Sequence, residues 1–169
     1  MTDIELAYAA GIIDGEGTIG IYKHTGDKNG TKRKIPPLRI WIKVPQCDIR
    51  LPQWFKSKFG YGYVNNNGIP KIGRRYVFTW SVCGFKQCVP ILEMLIPYLF
   101  LKRDRAEIAL AFARQNKNIR HLPEPEKSIE IAKRETMVSR LKECNRRGLA
   151  SPAETERSRA QRAMRQSEL

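Results

Sequence analysis

Residues 9–17 read Ala-Ala-Gly-Ile-Ile-Asp-Gly-Glu-Gly, an apolar run of small side chains that ends in two acids separated by glycine. The run predicts a helix, and Gly15 and Gly17 predict that the helix ends there, because glycine is favoured at helix C-termini. Glu16 would then lie where the helix dipole disfavours a carboxylate. A bound divalent cation would compensate for that placement, whereas the alternative is an ordinary C-cap followed by a turn.

The charge of the chain points to a polyanionic partner. The 169 residues suffice for one domain with a real core, and the formal net charge is +14 with a pI of about 9.9. Residues 18–80 hold 13 Lys or Arg and two acids, a net +11, whereas the remaining residues contribute only +3. The positive charge therefore follows the acidic motif. A structural basic protein would fit this charge but would not explain the motif.

Membrane and disulfide-scaffold classes are disfavoured. The sequence has no run of 18 apolar residues, and its N-terminus lacks the regions of a signal peptide. The four cysteines form no CxxC pair, and only two histidines are present, so a zinc site is not expected. We expect reduced, mostly buried thiols in an intracellular protein, with chloroplast or mitochondrion as the compartment if the gene is organelle-encoded.

Hydrophobic periodicity predicts an α+β domain with one antiparallel sheet. The expected order is helix, two strands, helix, two strands and then further helices. The expected helices cover 4–14, 49–59, 84–99, 104–118 and 127–147, and the expected strands cover 18–25, 38–44, 61–64 and 75–82. The asparagine-rich segment 65–68 predicts a hairpin between the last two strands. We expect one domain over 1–148 and a helical or flexible tail over 149–169.

One expected strand has an unusual polar face. Residues 38–44 alternate, so that the four aliphatic side chains point one way and Arg39, Trp41 and Lys43 point the other. A face that carries Arg, Trp and Lys is unusual for a solvated strand. It is suited to a groove of DNA, where basic and apolar groups contact base edges.

The nonapeptide resembles the signature of LAGLIDADG homing endonucleases, with Ala for the first Leu, Ile for Leu and Glu for the second Asp. The resemblance extends in a consistent order over about residues 4–118. It implies an α-β-β-α-β-β-α core with a saddle-shaped antiparallel sheet. It also implies a site-specific double-strand DNA endonuclease, intron-encoded, that hydrolyses phosphodiester bonds at a long pseudo-palindromic site and leaves short 3′ overhangs.

The same resemblance suggests the catalytic residues. Glu16 is the expected metal-binding acid, and Gly15 matches the position whose backbone carbonyl approaches the metal. Gln46 and Arg50 resemble a peripheral pair that organises active-site waters, and Lys102 resembles the basic residue at the edge of that site. The expected cofactor is Mg²⁺, with Mn²⁺ or Ca²⁺ substituting for binding.

Plainer explanations exist for these companions, and two departures from the family pattern stand beside them. Gln46 on its own is an ordinary loop glutamine, and Arg50 and Lys102 on their own are solvated charges. Pro45 removes a backbone donor directly before Gln46. Glu at the metal position reaches about one methylene further than Asp.

A single acidic motif predicts a homodimer. One motif supplies too few carboxylates for two strand cuts, whereas a two-fold dimer brings two copies of Glu16 to its axis. The expected seam is the small-residue face of the first helix, with Asp14 as a cap or packing residue beside it; the seam residues are Ala7, Ala10, Gly11 and Asp14. The alternative is a buried helix contact within one chain.

The expected DNA contacts lie on the sheet and its loops. Arg39 and Arg75 suit guanine edges, Asn65 and Asn67 suit adenine, and the loop lysines suit phosphates. The full set is Gly20, Tyr22, His24, Lys28, Lys32, Arg33, Lys34, Arg39, Trp41, Lys43, Tyr63, Asn65, Asn67, Arg75, Val77 and Thr79. The rival function is a non-cleaving nucleic-acid-binding protein on the same fold, either an intron RNA maturase or a DNA-binding regulator.

Overall fold

The structure is a computed structural model that describes residues 1–23, 37–68, 75–115 and 121–146. Within these ranges, five helices and four strands follow one another in the order predicted from the sequence. They are α1 (Asp3–Gly15), β1 (Thr18–Lys23), β2 (Leu38–Gln46), α2 (Arg50–Phe59), β3 (Tyr63–Asn66), β4 (Phe78–Cys83), α3 (Phe85–Leu95), a 3₁₀ turn (Ile96–Tyr98), α4 (Arg103–Gln115) and α5 (Glu126–Arg146). The predicted α+β class is confirmed.

The four strands form one antiparallel sheet in the order β1-β2-β4-β3. In the central strand β2, Ile40, Ile42 and Val44 are completely buried, as the alternation of the sequence predicts. The inner face of the sheet packs against the helices. On the opposite face of β2, Arg39 and Lys43 are exposed, so this face has charged side chains available to a partner.

An aromatic cluster fixes α2 to the sheet. The rings of Phe55 and Phe59 lie 4.9 and 5.5 Å from the ring of Trp80 on β4. The buried indole keeps its hydrogen bond, because Trp80 Nε1 donates to the carbonyl of Tyr61 at 3.0 Å. Burial of each such ring contributes roughly 1.5–3 kcal/mol. The cluster therefore sets the position at which α2 follows β2.

Several element boundaries differ from the prediction. β2 continues to Gln46 instead of ending at residue 44, and β3 covers Tyr63–Asn66 instead of 61–64. β4 begins at Phe78 rather than at residue 75, and the connection between β3 and β4 covers 67–77, of which 69–74 lie outside the described residues. The helix expected over 84–99 ends at Leu95 and continues as the 3₁₀ turn, since Pro97 has no N–H to continue α-helical bonding. The predicted tail, 149–169, also lies outside the described residues, so the domain division stays a prediction.

α1 is fastened near its N-terminus. Thr2 and Glu5 form a capping box, and Glu5 also pairs with Lys58 of α2, which lowers the pKa of the Glu5 carboxyl. The Tyr98 hydroxyl donates to Asp3 at 2.8 Å, and this bond raises the pKa of Tyr98. These contacts hold the start of α1 against two other elements.

No helix within the described ranges is both long enough and apolar enough to cross a membrane. Cys88 and Cys144 are buried, Cys83 is half-buried and Cys47 is exposed, all four as free thiols. Burial raises the pKa of the Cys88 thiol to about 12, so it remains protonated at neutral pH.

Candidate active site and nucleic-acid interface

Glu16 caps the C-terminus of α1 and exposes its carboxylate. Its N–H donates to the carbonyl of Ile12 at 2.8 Å, and the N–H of Gly17 donates to that of Ile13 at 2.9 Å. A Cβ at position 17 would lie 2.8 Å from both Cα and O of Ile13, so only glycine fits. A Cβ at Gly15 would meet nothing within 4 Å. Gly17 therefore gives the turn from helix to strand its shape.

Asp14 caps the segment before α4. Its carboxylate accepts hydrogen bonds from the backbone N–H groups of Phe100, Leu101 and Lys102 at 2.7, 3.1 and 2.8 Å. This is the capping role expected for Asp14 from the sequence, and it is made within one chain. The Asp14 carboxylate already accepts three hydrogen bonds within its own chain. Asp14 would therefore lie beside the predicted dimer seam without bonding across it.

Lys102 lies against the other side of the same junction. Its ammonium donates to the carbonyls of Ile13, Asp14 and Gly15 at 2.7, 2.6 and 3.4 Å, and the residue is only 8% exposed. Burial lowers the pKa of this ammonium. Glu16 is near enough to act electrostatically on Lys102, but the Lys102 side chain points towards the backbone of α1.

Gln46 and Arg50 lie at the end of the sheet that receives Glu16. The β1–β2 ladder ends with Thr18 opposite Lys43, so β2 extends past the start of β1 as far as Gln46. Gln46 is half-buried, and Arg50 opens α2 just beyond it. The strand register therefore puts both residues at one edge of the molecule with the C-terminus of α1.

Arg50 has an acidic partner of its own. Its Nε donates to both carboxylate oxygens of Asp48 at 3.0 Å, and its backbone N–H donates to Oδ1 at 2.9 Å. The hydrogen bonds from Arg50 lower the pKa of the Asp48 carboxyl to about 2. Asp48 caps α2 through the backbone bond, although the residue that directly precedes the helix is Ile49.

The residues around Glu16 fit one part of a hard-cation site. A carboxylate and the carbonyl of Gly15 are oxygen ligands of the kind that Mg²⁺ prefers. In the described part of the chain, however, no three His, Cys, Asp or Glu side chains come together as a metal-binding group. The remaining ligands would have to be water, substrate phosphate oxygens or groups from a second copy of the chain.

The open face of the sheet, here called the outer face, is defined by the strand register. Its members are Thr18, Gly20, Tyr22, Arg39, Trp41, Lys43, Pro45, Tyr63, Asn65, Thr79, Ser81 and Cys83. Arg39, Lys43, Tyr63 and Asn65 are exposed on it, and Lys43 Nζ lies 4.4 Å from the centre of the Trp41 ring. The predicted Arg-Trp-Lys face is therefore present, with the cation stacked on the indole.

Three of the residues expected to contact DNA are buried or hydrogen-bonded within the sheet. Gly20 is buried beneath the Trp41 indole, and Thr79, at 6% exposure, accepts a hydrogen bond from the amide of Asn67 at 2.9 Å. Neither residue is exposed, and the direct contacts predicted for Gly20 and Thr79 stay predictions that this burial does not support. The Tyr22 hydroxyl is hydrogen-bonded to Cys83 Sγ at 2.8 Å. Burial together with this hydrogen bond raises the pKa of Tyr22 to about 12.

The other predicted contacts divide into two groups. Arg75, which is exposed, and Val77, which is half-buried, precede β4 instead of lying in it. The remaining residues, His24, Lys28, Lys32, Arg33 and Lys34, lie outside the described residues. Among the described residues, the exposed side chains of the outer face therefore remain the main candidates for contact with a partner.

One side of α1 is exposed and apolar. Ile4 is 82% and Tyr8 56% exposed, and a Cβ added at Gly11, on the same side, would meet nothing within 4 Å. Ala7 is also exposed, but Ala10 is completely buried in the core of its own chain. Successive small residues of this helix therefore face in different directions, and the assignment of Ala10 to a seam stays a prediction that its burial does not support.

Comparison with solved structures identifies the architecture. No family model and no curated protein matches the sequence. Among 93 matching solved chains, the homing endonuclease I-CvuI gives a TM-score of 0.63 at 20% identity over 83% of this chain and 82% of that chain. The archaeal intron-encoded homing endonuclease I-Vdi141I gives 0.61 at 14% identity over 84% of each, and the LAGLIDADG homing endonuclease I-GzeII gives 0.61 at 15% identity over 79% of this chain and 43% of that chain.

The chain has the LAGLIDADG homing endonuclease fold. The nonapeptide of residues 9–17 occupies the second half of α1 and its exit, so that Asp14, Gly15 and Glu16 lie at the junction of α1 with β1. The sequence did not predict that the backbone N–H groups of Phe100 and Leu101 bond to Asp14, or that their side chains are 87% and 67% exposed. The available signal was a pair of apolar residues directly before a predicted helix.

Proposed function

We propose that this chain is a metal-dependent, site-specific double-strand DNA endonuclease that acts as a homodimer, and that it is intron-encoded. The observation that carries the proposal is the exposed Glu16 carboxylate at the end of α1, at the edge of a sheet with a basic outer face. A carboxylate placed among positive charge beside a candidate DNA surface is suited to hold a cation against a phosphate.

Charge and shape support DNA as the partner. The net charge is +14, and the outer face presents Arg39 and Lys43 from the central strand β2. Structures of I-CvuI and I-Vdi141I with this fold were determined in complex with DNA. Exposed Arg and Lys favour phosphates and guanine edges, and Asn65 offers an amide of the type that reads adenine.

Chemistry at the junction would depend on one carboxylate per chain. Glu16 and the Gly15 carbonyl would hold Mg²⁺, which supplies charge neutralisation at the phosphate when bound. Gln46, at the same edge, would orient water, and Arg50 would balance developing negative charge once it is released from Asp48. The I-CvuI structures include one in 2 mM Mg with uncleaved DNA and one in 2 mM Ca.

The exposed side of α1 supports the homodimer. Ile4, Tyr8 and Gly11 lie on the exposed side of α1, and the exposed Phe100 and Leu101 lie beside Asp14 at its C-terminal end. A two-fold contact through this surface would bring two copies of Glu16 near one axis, one for each DNA strand. No second copy of the acidic motif exists in the chain to fill this place.

The deciding experiment starts with selection of a cleaved site from a randomised duplex library in Mg²⁺. Glu16→Gln should then abolish cleavage of the selected site and leave DNA binding nearly unchanged, because an amide is a poor ligand for Mg²⁺. Glu143→Gln, on the exposed side of α5, is the control for loss of one negative charge. Cleavage by Glu16→Gln at the wild-type rate would contradict the proposal.

A non-cleaving nucleic-acid-binding protein is the second candidate. The observation in its favour is that Arg50 is paired with Asp48 and that Lys102 is buried against carbonyls. Such a protein, whether an intron RNA maturase or a DNA-binding regulator, would bind nucleic acid without cutting any duplex in the library. Binding to intron RNA and to selected DNA at matched ionic strength would separate these two forms.

A further inference from the structure

We propose that Lys102 and Asp14 form a reciprocal clamp that positions Glu16, and that Lys102 is a positioning residue which does not touch the substrate. The inference rests on the proposed function only for the role of Glu16. The clamp itself joins two helix ends, the C-terminus of α1 and the start of α4, because each residue bonds the backbone of the other element.

The hydrogen-bonding capacity of Lys102 carries the first step. An ammonium has three N–H donors, and the structure gives it three acceptors, the carbonyls of Ile13, Asp14 and Gly15. The residue is 8% exposed. No donor is left for a phosphate oxygen or an attacking water while these bonds persist, so the ammonium acts on the backbone of α1.

Asp14 supplies the other half of the clamp. Its carboxylate receives the N–H groups of residues 100, 101 and 102, directly before α4 begins at Arg103. A helix start favours a negative charge and a helix end favours a positive one. Each helix thus receives the charge it prefers from a residue of the other, and the two residues depend on each other for position.

The consequence falls on the neighbouring residues. The three carbonyls held by Lys102 belong to the last three residues of α1, and Glu16 follows immediately. Without the ammonium the carbonyls of Asp14 and Gly15 would lose this donor in a part-buried site, whereas the Ile13 carbonyl keeps the N–H of Gly17. The loss of two hydrogen bonds favours fraying of the last turn. The bond to the Gly15 carbonyl is the longest, at 3.4 Å, so this oxygen is the one best able to accept a cation as well.

The first test needs no nucleic acid. Hydrogen exchange of the full chain is compared for wild type, Lys102→Met, Asp14→Asn and the control Lys86→Met, an exposed lysine of α3. The clamp predicts faster exchange of the amides of 100–102 and 16–17 in both clamp variants, with circular dichroism unchanged. Unchanged exchange in Lys102→Met would overturn the clamp, whatever the protein does to DNA.

The second test separates positioning from catalysis. Binding of Mn²⁺ to the protein on its selected DNA is measured from the loss of the free Mn²⁺ electron paramagnetic resonance signal. In both clamp variants the dissociation constant for Mn²⁺ should rise by about 10-fold or more, which is the usual effect of removing a residue that orients a metal ligand. The double variant should be no worse than the single ones, since both substitutions break one unit.

A catalytic Lys102 would give a different pattern. Lys102→Met would then lower the cleavage rate at saturating Mn²⁺ without a change in Mn²⁺ affinity, and Asp14→Asn would behave as wild type. That result would overturn the positioning role. If the wild type cuts no duplex at all, the proposed function fails while the exchange measurement still decides whether the clamp exists.

Discussion

The indole of Trp41 covers Gly20 on the neighbouring strand. A Cβ at position 20 would lie 2.8 Å from Trp41 Nε1 and 2.9 Å from Cε2, and the two residues face each other in the β1–β2 ladder. With Lys43 above the ring, the three residues form a stack on the outer face. The absence of a side chain at Gly20 therefore decides where the largest side chain of this face lies.

Gly20→Ala should displace Trp41 and lower stability by about 1–3 kcal/mol, the usual cost of overpacking. The displaced ring should also change the preferred DNA sequence, because Trp41 and Lys43 move together. Chemical denaturation and repeated site selection measure the two effects. An unchanged site preference together with wild-type stability would contradict the stack.

Gly17→Ala should destabilise the exit of α1 and reduce cleavage, whereas Gly15→Ala should be tolerated for folding. A Cβ at 17 collides with backbone atoms of Ile13, but a Cβ at 15 meets open space. Melting temperatures of the two variants, two residues apart in the same motif, provide a matched comparison. Equal melting temperatures would show that the turn after Glu16 can relax.

Gly11→Leu should weaken dimer formation before it affects the fold of one chain. The added side chain points into open space within the chain but into the seam of the proposed dimer, where it occurs twice. Sedimentation at matched concentrations is the measurement, with Lys142→Leu on α5 as the control for added hydrophobicity. A dimer unaffected by Gly11→Leu would place the seam elsewhere.

Asp48→Asn should tighten DNA binding at low salt, by roughly 2- to 10-fold, because it frees Arg50 for a phosphate and removes a negative charge. Asp104→Asn makes the same charge change on α4 and is the control. The direction in which the Asp48–Arg50 pair depends on pH also follows from the pKa of Asp48. A carboxyl pKa lowered to about 2 keeps the pair intact at pH 4, and the pair is lost only as the pH falls through about 2.

DNA binding should weaken steeply with salt. Two chains of +14 that contact phosphates should release several counterions, which gives a slope of roughly −5 or steeper in log K against log salt. Fluorescence anisotropy between 50 and 300 mM salt, roughly the range over which such slopes are resolved, measures it. A slope near zero would exclude a phosphate-dominated interface.

Much of the fold could be predicted from local patterns. The alternation in β2 and the small-residue helix before Glu16 identified the sheet and α1, because strand and helix periods differ clearly. The start of β4 was predicted too early, since residues 75–77 continue its alternation but precede the strand, with only a single hydrogen bond from the Asn67 N–H to the Val77 carbonyl among their described cross-hairpin bonds. Pairing depends on a register that alternation alone does not set.

The candidate site was less predictable than the fold. The sequence placed Glu16 correctly at the helix end, but the burial of Ala10 depends on which way α1 is rotated against the sheet. The direction of the Lys102 side chain depends on a contact between residues almost ninety positions apart. Pairs such as Arg50 with Asp48 likewise compete with function in ways that residue type does not show.

The three tryptophans give this protein a built-in optical assay. Trp80 is completely buried in the core, Trp54 packs edge-on against Tyr8 of α1, and Trp41 lies half-buried on the outer face. Emission from Trp80 should report unfolding, whereas quenching of Trp41 should follow occupation of the sheet by a ligand. The variants Trp41→Phe and Trp54→Phe would separate the signals. One unlabelled protein would then report ligand binding, the packing of α1 on α2 and global unfolding.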